Sequence, residues 1–151
     1  MDYHRIVSKL FIGSYPETLA DVDRLRRDAG VTAVLNLQTD DDMRYFKLDW
    51  DALFDAYKSC GIELHRVPVR DFDAADLQEK LPAGVSTLKG LLEAGHTVYL
   101  HCSAGCGRSP TVAIAYLFWC YGWSLDRAVT HVTQCRSCSP NIDAIRLATA
   151  E

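Results

Sequence analysis

Thr97-Val98-Tyr99-Leu100-His101-Cys102-Ser103-Ala104-Gly105-Cys106-Gly107-Arg108-Ser109 is the stretch from which the fold is read. Its first four residues are β-branched or bulky and fit a buried strand. From Ser109 to Tyr121 the chain is almost unbrokenly apolar, with Pro110 near the start and Gly122 just past the end, which predicts a buried helix. The five small residues between Cys102 and Arg108 therefore form a loop that closes on a helix N-terminus. Such a terminus offers unpaired N–H groups and the positive end of the helix dipole, a setting for a bound anion. Gly105 and Gly107 let the chain curl so that several amides converge, and Arg108 adds a planar fork able to hold two oxygens of a phosphate. The same field favours the thiolate form of Cys102, the form that acts as nucleophile. Ser103, Ala104, Gly105, Cys106, Gly107 and Arg108 thus read as a phosphate cradle around Cys102. No Gly-Lys-Ser or Gly-Lys-Thr closes the loop, so it is not of the nucleotide-binding kind.

Outward from this loop, strands and helices alternate. Lys9–Gly13 reads as a strand, and Thr18 caps a helix whose apolar positions run from Leu19 to Ala29. Val31–Leu37 is a second strand by composition, followed by an acidic loop at Asp40, Asp41 and Asp42. Leu48–Cys60 has helical spacing, Ile62–Val69 is a strand left at Pro68, and Ala74–Ala94 is a helix interrupted or re-entered near Pro82. After the central helix come two amphipathic helices, Ser124–Cys135 and roughly Pro140–Ala150. The pattern predicts an α/β fold, a mostly parallel sheet with helices on both faces.

The 151 residues suit one domain spanning 1–151, C-terminal helical segment included. A net charge of −4 and a pI near 5.7 exclude nucleic acid and acidic membrane surfaces as expected partners. No run is long and apolar enough to span a membrane, and a monomer is expected. Six cysteines without a secretory signal point to a reducing intracellular compartment, cytosol or plastid. Cys135 and Cys138 have redox or metal spacing, with His131 four residues earlier, but no second pair completes a set. No metal and no cofactor is expected. Cys106 is a candidate for reversible oxidation if the loop rearranges.

An ester oxygen leaving phosphorus needs a proton, so a carboxylic acid is expected on a loop facing the cradle. Arg70-Asp71-Phe72-Asp73 lies just past a strand end, where loops line the ligand crevice of such sheets, and offers Asp71 and Asp73. Ser109 has two compatible roles, hydrogen bonding to the Cys102 sulfur and capping the helix. Tyr45, Phe46 and Phe72 are flat groups able to pack on sugar rings or on an aryl phosphate. For each, an ordinary half-buried aromatic is the competing reading.

The catalytic loop resembles the signature of the cysteine-dependent phosphatases of the protein tyrosine phosphatase superfamily, and the short chain is similar to the dual-specificity branch. The resemblance implies that Cys102 attacks phosphorus, Arg108 binds the phosphoryl oxygens, and His101 orients the loop. It also implies that Asp71, about thirty residues before the nucleophile, protonates the leaving oxygen. A cysteinyl-phosphate intermediate then breaks down without a metal. A wider resemblance rests on Leu35-Asn36-Leu37-Gln38 with Asp40, Tyr45-Phe46, Arg70-Asp71-Phe72-Asp73, the cradle, Arg136-Ser137-Cys138 and Pro140 with Asp143-Ala144-Ile145-Arg146. Together, from about Tyr3 to Ala148, they look like the glucan phosphatases of the starch-excess, laforin-like type. That likeness implies a phosphorylated glucan substrate, with Tyr45, Phe46 and Phe72 matching an aromatic glucan channel. The alternative is a phosphoprotein dual-specificity phosphatase. The chain departs from these relatives in three ways: no region reads as a carbohydrate-binding module, Ser139 stands where some carry an aromatic, and Ser109 replaces an alanine. The cradle also lacks the lysines that enzymes acting on inositol lipids place there.

Overall fold

The computed structural model describes residues 1–148. The chain runs β1 (Tyr3–Val7), β2 (Leu10–Gly13), α1 (Leu19–Ala29), β3 (Ala33–Asn36), α2 (Asp40–Tyr45), α3 (Trp50–Ser59), β4 (Glu63–Arg66), α4 (Ala74–Glu93), β5 (Val98–His101), α5 (Arg108–Trp119), α6 (Leu125–Cys135) and α7 (Ile142–Ala148). The strands form one sheet in the order β1-β2-β5-β3-β4. β2, β5, β3 and β4 run parallel, and β1 joins antiparallel at the edge beside β2. Because successive strand side chains point to opposite faces, Leu10, Ile12, Ala33, Leu35, Val98 and Leu100 enter one core and Val34 and Tyr99 the other. The larger core lies under α4, α5, α6 and α7, and the smaller under α1 and α3. The expected α/β architecture with helices on both faces is what the chain adopts.

Local signals account for most boundaries. Thr18 makes a capping box with Asp21, Ser124 accepts from the Arg127 N–H, and Asp49 caps α3. Three expectations are corrected. β1 is absent from the sequence reading: it is an edge strand in which the adjacent exposed polar residues His4 and Arg5 break the apolar alternation. The acidic segment at residues 40–42 is not a loop but the first turn of α2, capped by Thr39, where carboxylates meet the positive helix end. Pro82 does not interrupt α4, which is continuous from Ala74 to Glu93. The last positions of the predicted C-terminal helix, 149 and 150, lie outside the described residues. Among the described residues no helix is long and apolar enough to cross a membrane.

In an open parallel sheet, ligands bind beyond the carboxyl ends of the strands. Here those ends deliver Gly13 and Tyr15 from β2, Asn36 and Gln38 from β3, Val69 to Asp71 from β4, and Cys102 from β5 to one rim.

Candidate active site

At this rim the chain from His101 to Arg108 is tied down through its carbonyls. The Leu37 N–H donates to the His101 carbonyl, His101 Nδ1 to that of Cys102, and the Tyr15 N–H to that of Ser103. Arg136 spans the next two, Nη2 to Ala104 at 2.9 Å and Nε to Gly105 at 2.8 Å. The Ser139 N–H takes Cys106 at 2.7 Å, and the Thr111 N–H and hydroxyl take Gly107. In a trans peptide the N–H of the next residue points opposite to each carbonyl, so the carbonyls' outward anchoring turns the following amides toward the loop centre. Gly105 sits at φ +73°, and a Cβ there would lie 2.4 Å from the Gly13 backbone and 2.8 Å from Arg136 Nη2, so only glycine fits. Gly107 stands at the N-cap of α5 and offers no side-chain cap, leaving the helix's positive end for an anion.

The side chains complete the arrangement. Cys102 is buried at 2% exposure, and its sulfur is 3.3 Å from the Ser109 hydroxyl. Arg108, 3% exposed, donates through Nη1 to Asp42 Oδ2 and the Val69 carbonyl, each at 2.7 Å. Its Nη2 reaches the Ser103 hydroxyl at 3.2 Å and Asp71 Oδ2 at 3.3 Å, and its Nε is buried without a partner among the described residues. Ser103 is held from behind by Gln38 Nε2. Burial, with further lowering by Arg108 and Arg66 against the raising bond to Cys102, brings the His101 pKa to about 4. The ring is therefore neutral at pH 7, with Nδ1–H donating to the Cys102 carbonyl.

Both candidate acids line the pocket, but Asp71 reaches Arg108, whereas the Asp73 carboxyl is engaged by other partners. Asp73 caps α4 by accepting from the Asp76 N–H and pairs with Arg70. The loop that carries them is anchored by a buried residue not anticipated from sequence, Asp76, which accepts the Arg70 N–H at 2.7 Å and pairs with Lys80. The Arg70 N–H above all, then Lys80 and the Arg70 charge, hold its carboxyl below the usual range against burial.

Asp71, Phe72, Asp73, Cys102, Ala104, Cys106, Gly107, Arg108, Ser139 and Asn141 are among the residues that line one cavity of about 450 Å³. Phe72 stands at its mouth, fully exposed, on a left-handed backbone with φ 55°. Tyr45 and Phe46 are not in this cavity lining. Instead Phe46 packs on Tyr15 with ring centroids 4.7 Å apart, Tyr45 meets Phe46 edge-on, and Tyr45 is 80% exposed. Tyr15, bonded to Ser103, is the aromatic that joins this row to the cradle. Sequence spacing gave no sign of it, since it lies far from the loop in the chain.

The remaining thiols have other surroundings. The Cys106 sulfur turns toward the Ala104 and Ser137 carbonyls. Cys135 lies 3.6 Å from His131 Nε2, and that nitrogen donates to the Ile6 carbonyl, so the pair has no ready metal ligand in the histidine. Burial raises the pKa of both Cys135 and Cys138. Chemically, the rim brings together a buried sulfur, an anion cradle, a guanidinium with an open donor and an exposed carboxyl on the facing loop.

Residues 10–147 match the family described as the dual specificity phosphatase catalytic domain. Among curated relatives, the amyloplastic phosphoglucan phosphatase DSP4 of Castanea sativa is 40% identical over 100% of this chain and 40% of its own length. The chloroplastic phosphoglucan phosphatase LSF1 of Arabidopsis thaliana is 36% identical over 99% of this chain and 25% of its own. Laforin of Mus musculus is 35% identical over 100% of this chain and 48% of its own. The chain thus spans less than half the length of these relatives. Among solved structures, PTPMT1 in complex with PI(5)P superposes with a TM-score of 0.79 at 26% identity, covering 97% of this chain and 91% of that one. Human DUSP28 does so at 0.74 and 27%, with the same coverage.

Proposed function

The chain belongs to the dual-specificity phosphatase family, and from that membership we propose that it removes phosphate from phosphorylated glucans. The observation that carries the catalytic part is the meeting at one cavity of the buried Cys102 sulfur, the Asp71 carboxyl and an Arg108 Nε that has no partner among the described residues. In this reading the ester's phosphoryl oxygens occupy the cradle and the Arg108 fork. The thiolate attacks phosphorus, the bond to the sugar oxygen breaks, and Asp71 delivers a proton to that oxygen. Water, deprotonated by the Asp71 carboxylate, then attacks the cysteinyl phosphate. The Ser109 hydroxyl donates to the sulfur as it leaves, which the 3.3 Å contact permits.

The glucan assignment draws on the full-chain likeness to DSP4, LSF1 and laforin, and on the aromatic row. Phe72 at the cavity mouth and the Tyr15, Phe46 and Tyr45 rings beyond it give flat surfaces on which successive sugar rings stack. A reducing intracellular compartment, the plastid among them, is the setting we propose, in keeping with the plastid names of two relatives.

The test is phosphate release from solubilised amylopectin beside release from a small aryl phosphate, a phosphopeptide and an inositol phospholipid. Cys102→Ser abolishes all activity. Phe72→Ala cuts the amylopectin rate far more than the aryl phosphate rate. Equal losses on both substrates overturn the glucan role of the aromatics, and a wild-type preference for phosphopeptide or lipid overturns the substrate class.

A further inference from the structure

The guanidinium of Arg108 is divided in a way that the catalytic reading does not require and Asp42 explains. Nη1 carries two hydrogens, and both are taken by the protein, one by Asp42 Oδ2 and one by the Val69 carbonyl. Nη2 and Nε–H share the opposite edge of the planar fork. On that edge Nη2 has only the longer contacts to Ser103 and Asp71, and Nε has no partner at all among the described residues. A buried donor without an acceptor is rare in native structures and points to a ligand that supplies one. The edge left open is thus the one that presents two parallel N–H groups to a phosphoryl group.

Asp42 is built to hold this division. Its carboxylate also accepts the Thr39 backbone N–H at 3.0 Å, which fixes the side chain from below, while the reciprocal bond from the Asp42 N–H to the Thr39 hydroxyl serves the helix cap rather than the carboxylate. Burial would raise its pKa, but the Arg108 bond and the Thr39 contacts outweigh that and hold it below the usual carboxylate range. The acid is therefore ionised wherever Arg108 works. The same short helix carries Tyr45 and leads directly into Phe46, whose ring packs on Tyr15, itself bonded to the Ser103 carbonyl. α2 thus reaches the cradle twice, through Asp42 to the guanidinium and through Phe46 and Tyr15 to the loop backbone.

We propose that Asp42 is the positioning residue of the phosphate site: by occupying Nη1 of Arg108 it dedicates the Nε–Nη2 edge to the phosphoryl group and fixes the guanidinium to the helix that bears the substrate-facing aromatics. This rests on the phosphatase reading but not on the glucan. Asp42 touches neither the phosphate nor the sugar, and it acts only through the orientation of Arg108.

The test compares Asp42→Asn with Thr39→Val, which loses the capping hydroxyl but leaves the Asp42 carboxylate and the backbone donor in place. Steady-state kinetics on a small aryl phosphate and inhibition by orthovanadate are measured for both, with thermal melting to confirm folding. Asp42→Asn is expected to lower kcat/KM and weaken orthovanadate by roughly ten- to a hundredfold, the range for a misplaced contact group. Thr39→Val stays within about twofold of wild type on both, although both variants lose cap stability. Nitrogen-15 NMR of the arginine side chains supplies a readout that a structural role would not move. Wild type shows separate, slowly exchanging Nη1 and Nη2 signals for Arg108, and Asp42→Asn merges them. Orthovanadate affinity within twofold of wild type in Asp42→Asn, an equal loss in Thr39→Val, or unchanged Arg108 signals overturns the proposal. An enzyme that cleaves aryl phosphate but no glucan still answers this question, so failure here and failure of the substrate reading are told apart.

Discussion

Asp71→Asn removes a proton donor and a negative charge together, and the two losses have opposite signs. The proton matters in proportion to the basicity of the leaving oxygen. A sugar alkoxide cannot leave at neutral pH without it, whereas a nitrophenolate can. General-acid loss is therefore expected to lower kcat on phosphoglucan by about 10²–10⁴ and kcat on nitrophenyl phosphate far less. The charge matters to binding. Asp71 Oδ2 is 3.3 Å from Arg108 Nη2, where it competes with a phosphoryl oxygen for the open edge of the fork, and its side chain is 37% exposed. At that exposure solvent screens the pair, and its strength is about 0.2–1 kcal/mol, so relief of the competition is at most about fivefold. Inorganic phosphate is thus expected to inhibit Asp71→Asn slightly more tightly than wild type while turnover collapses. Initial rates on both substrates and phosphate inhibition at one fixed pH measure all three quantities. Equal fractional losses on glucan and nitrophenyl ester refute the acid role, and weaker phosphate inhibition refutes the electrostatic placement.

Gly105→Ala forces a left-handed backbone on alanine, which costs about 1–2 kcal/mol, and drives its Cβ into Gly13. Aryl phosphatase activity and the melting temperature are expected to fall together. Folded-state carboxyl pKa values are depressed for Asp76, for Asp42 and for Asp2, the last by its hydrogen bond from Arg136. The stability they contribute is therefore complete above the unfolded-state value near 3.9 and is lost as pH falls through the lower folded values. Asp76→Asn is expected to cost about 1–3 kcal/mol at neutral pH and less near pH 3, read as converging acid-denaturation curves. Ser139 lines the same cavity as Phe72. Ser139→Phe is expected to raise kcat/KM on phosphoglucan about two- to tenfold by ring stacking, with the aryl phosphate rate unchanged.

Legibility from sequence followed the range of the interactions. The strand, the glycines and the apolar helix around Cys102 are contiguous, so their periodicity and turn chemistry declared the site directly. Edge strand β1 escaped because its adjacent exposed residues His4 and Arg5 break the alternation that marks a buried strand. The acidic run at 40–42 looked like a loop by composition. The reciprocal Thr39 and Asp42 contacts that make it a helix start follow a residue spacing the sequence does contain. Pro82 suggested a break in α4 that does not occur. Tyr15, Asp42 and Arg136 have no local signature for their roles, since each acts on residues distant in the chain; Asp76 acts locally, on the Arg70 N–H and Lys80, but within a run of aspartates that offers no sign of which one is buried.

Arg136 shows why resemblance and structure supply different parts of the explanation. A match of the C-terminal segment to a family says that the segment belongs, not what it does. The structure gives its job in bonds: Arg136 and Ser139 hold the carbonyls of Ala104, Gly105 and Cys106 from outside, Asn141 bonds Thr111, and Asp2 pairs with Arg136 from the opposite end of the chain. An anion cradle is a set of amides forced to face one another, and such a set repels itself until the anion arrives. The repulsion must be overcome beforehand by acceptors pinned on the far side of each peptide. Here the pins come from Tyr15 just past β2, Leu37 just past β3, Thr111 of α5 and the segment after α6, with Asp2 behind Arg136, so segments far apart in the chain hold the loop open. The short cysteine-to-arginine signature can therefore carry its chemistry only inside a fold of this extent, and removing Arg136 would disorder the cradle while leaving every residue of the signature in place.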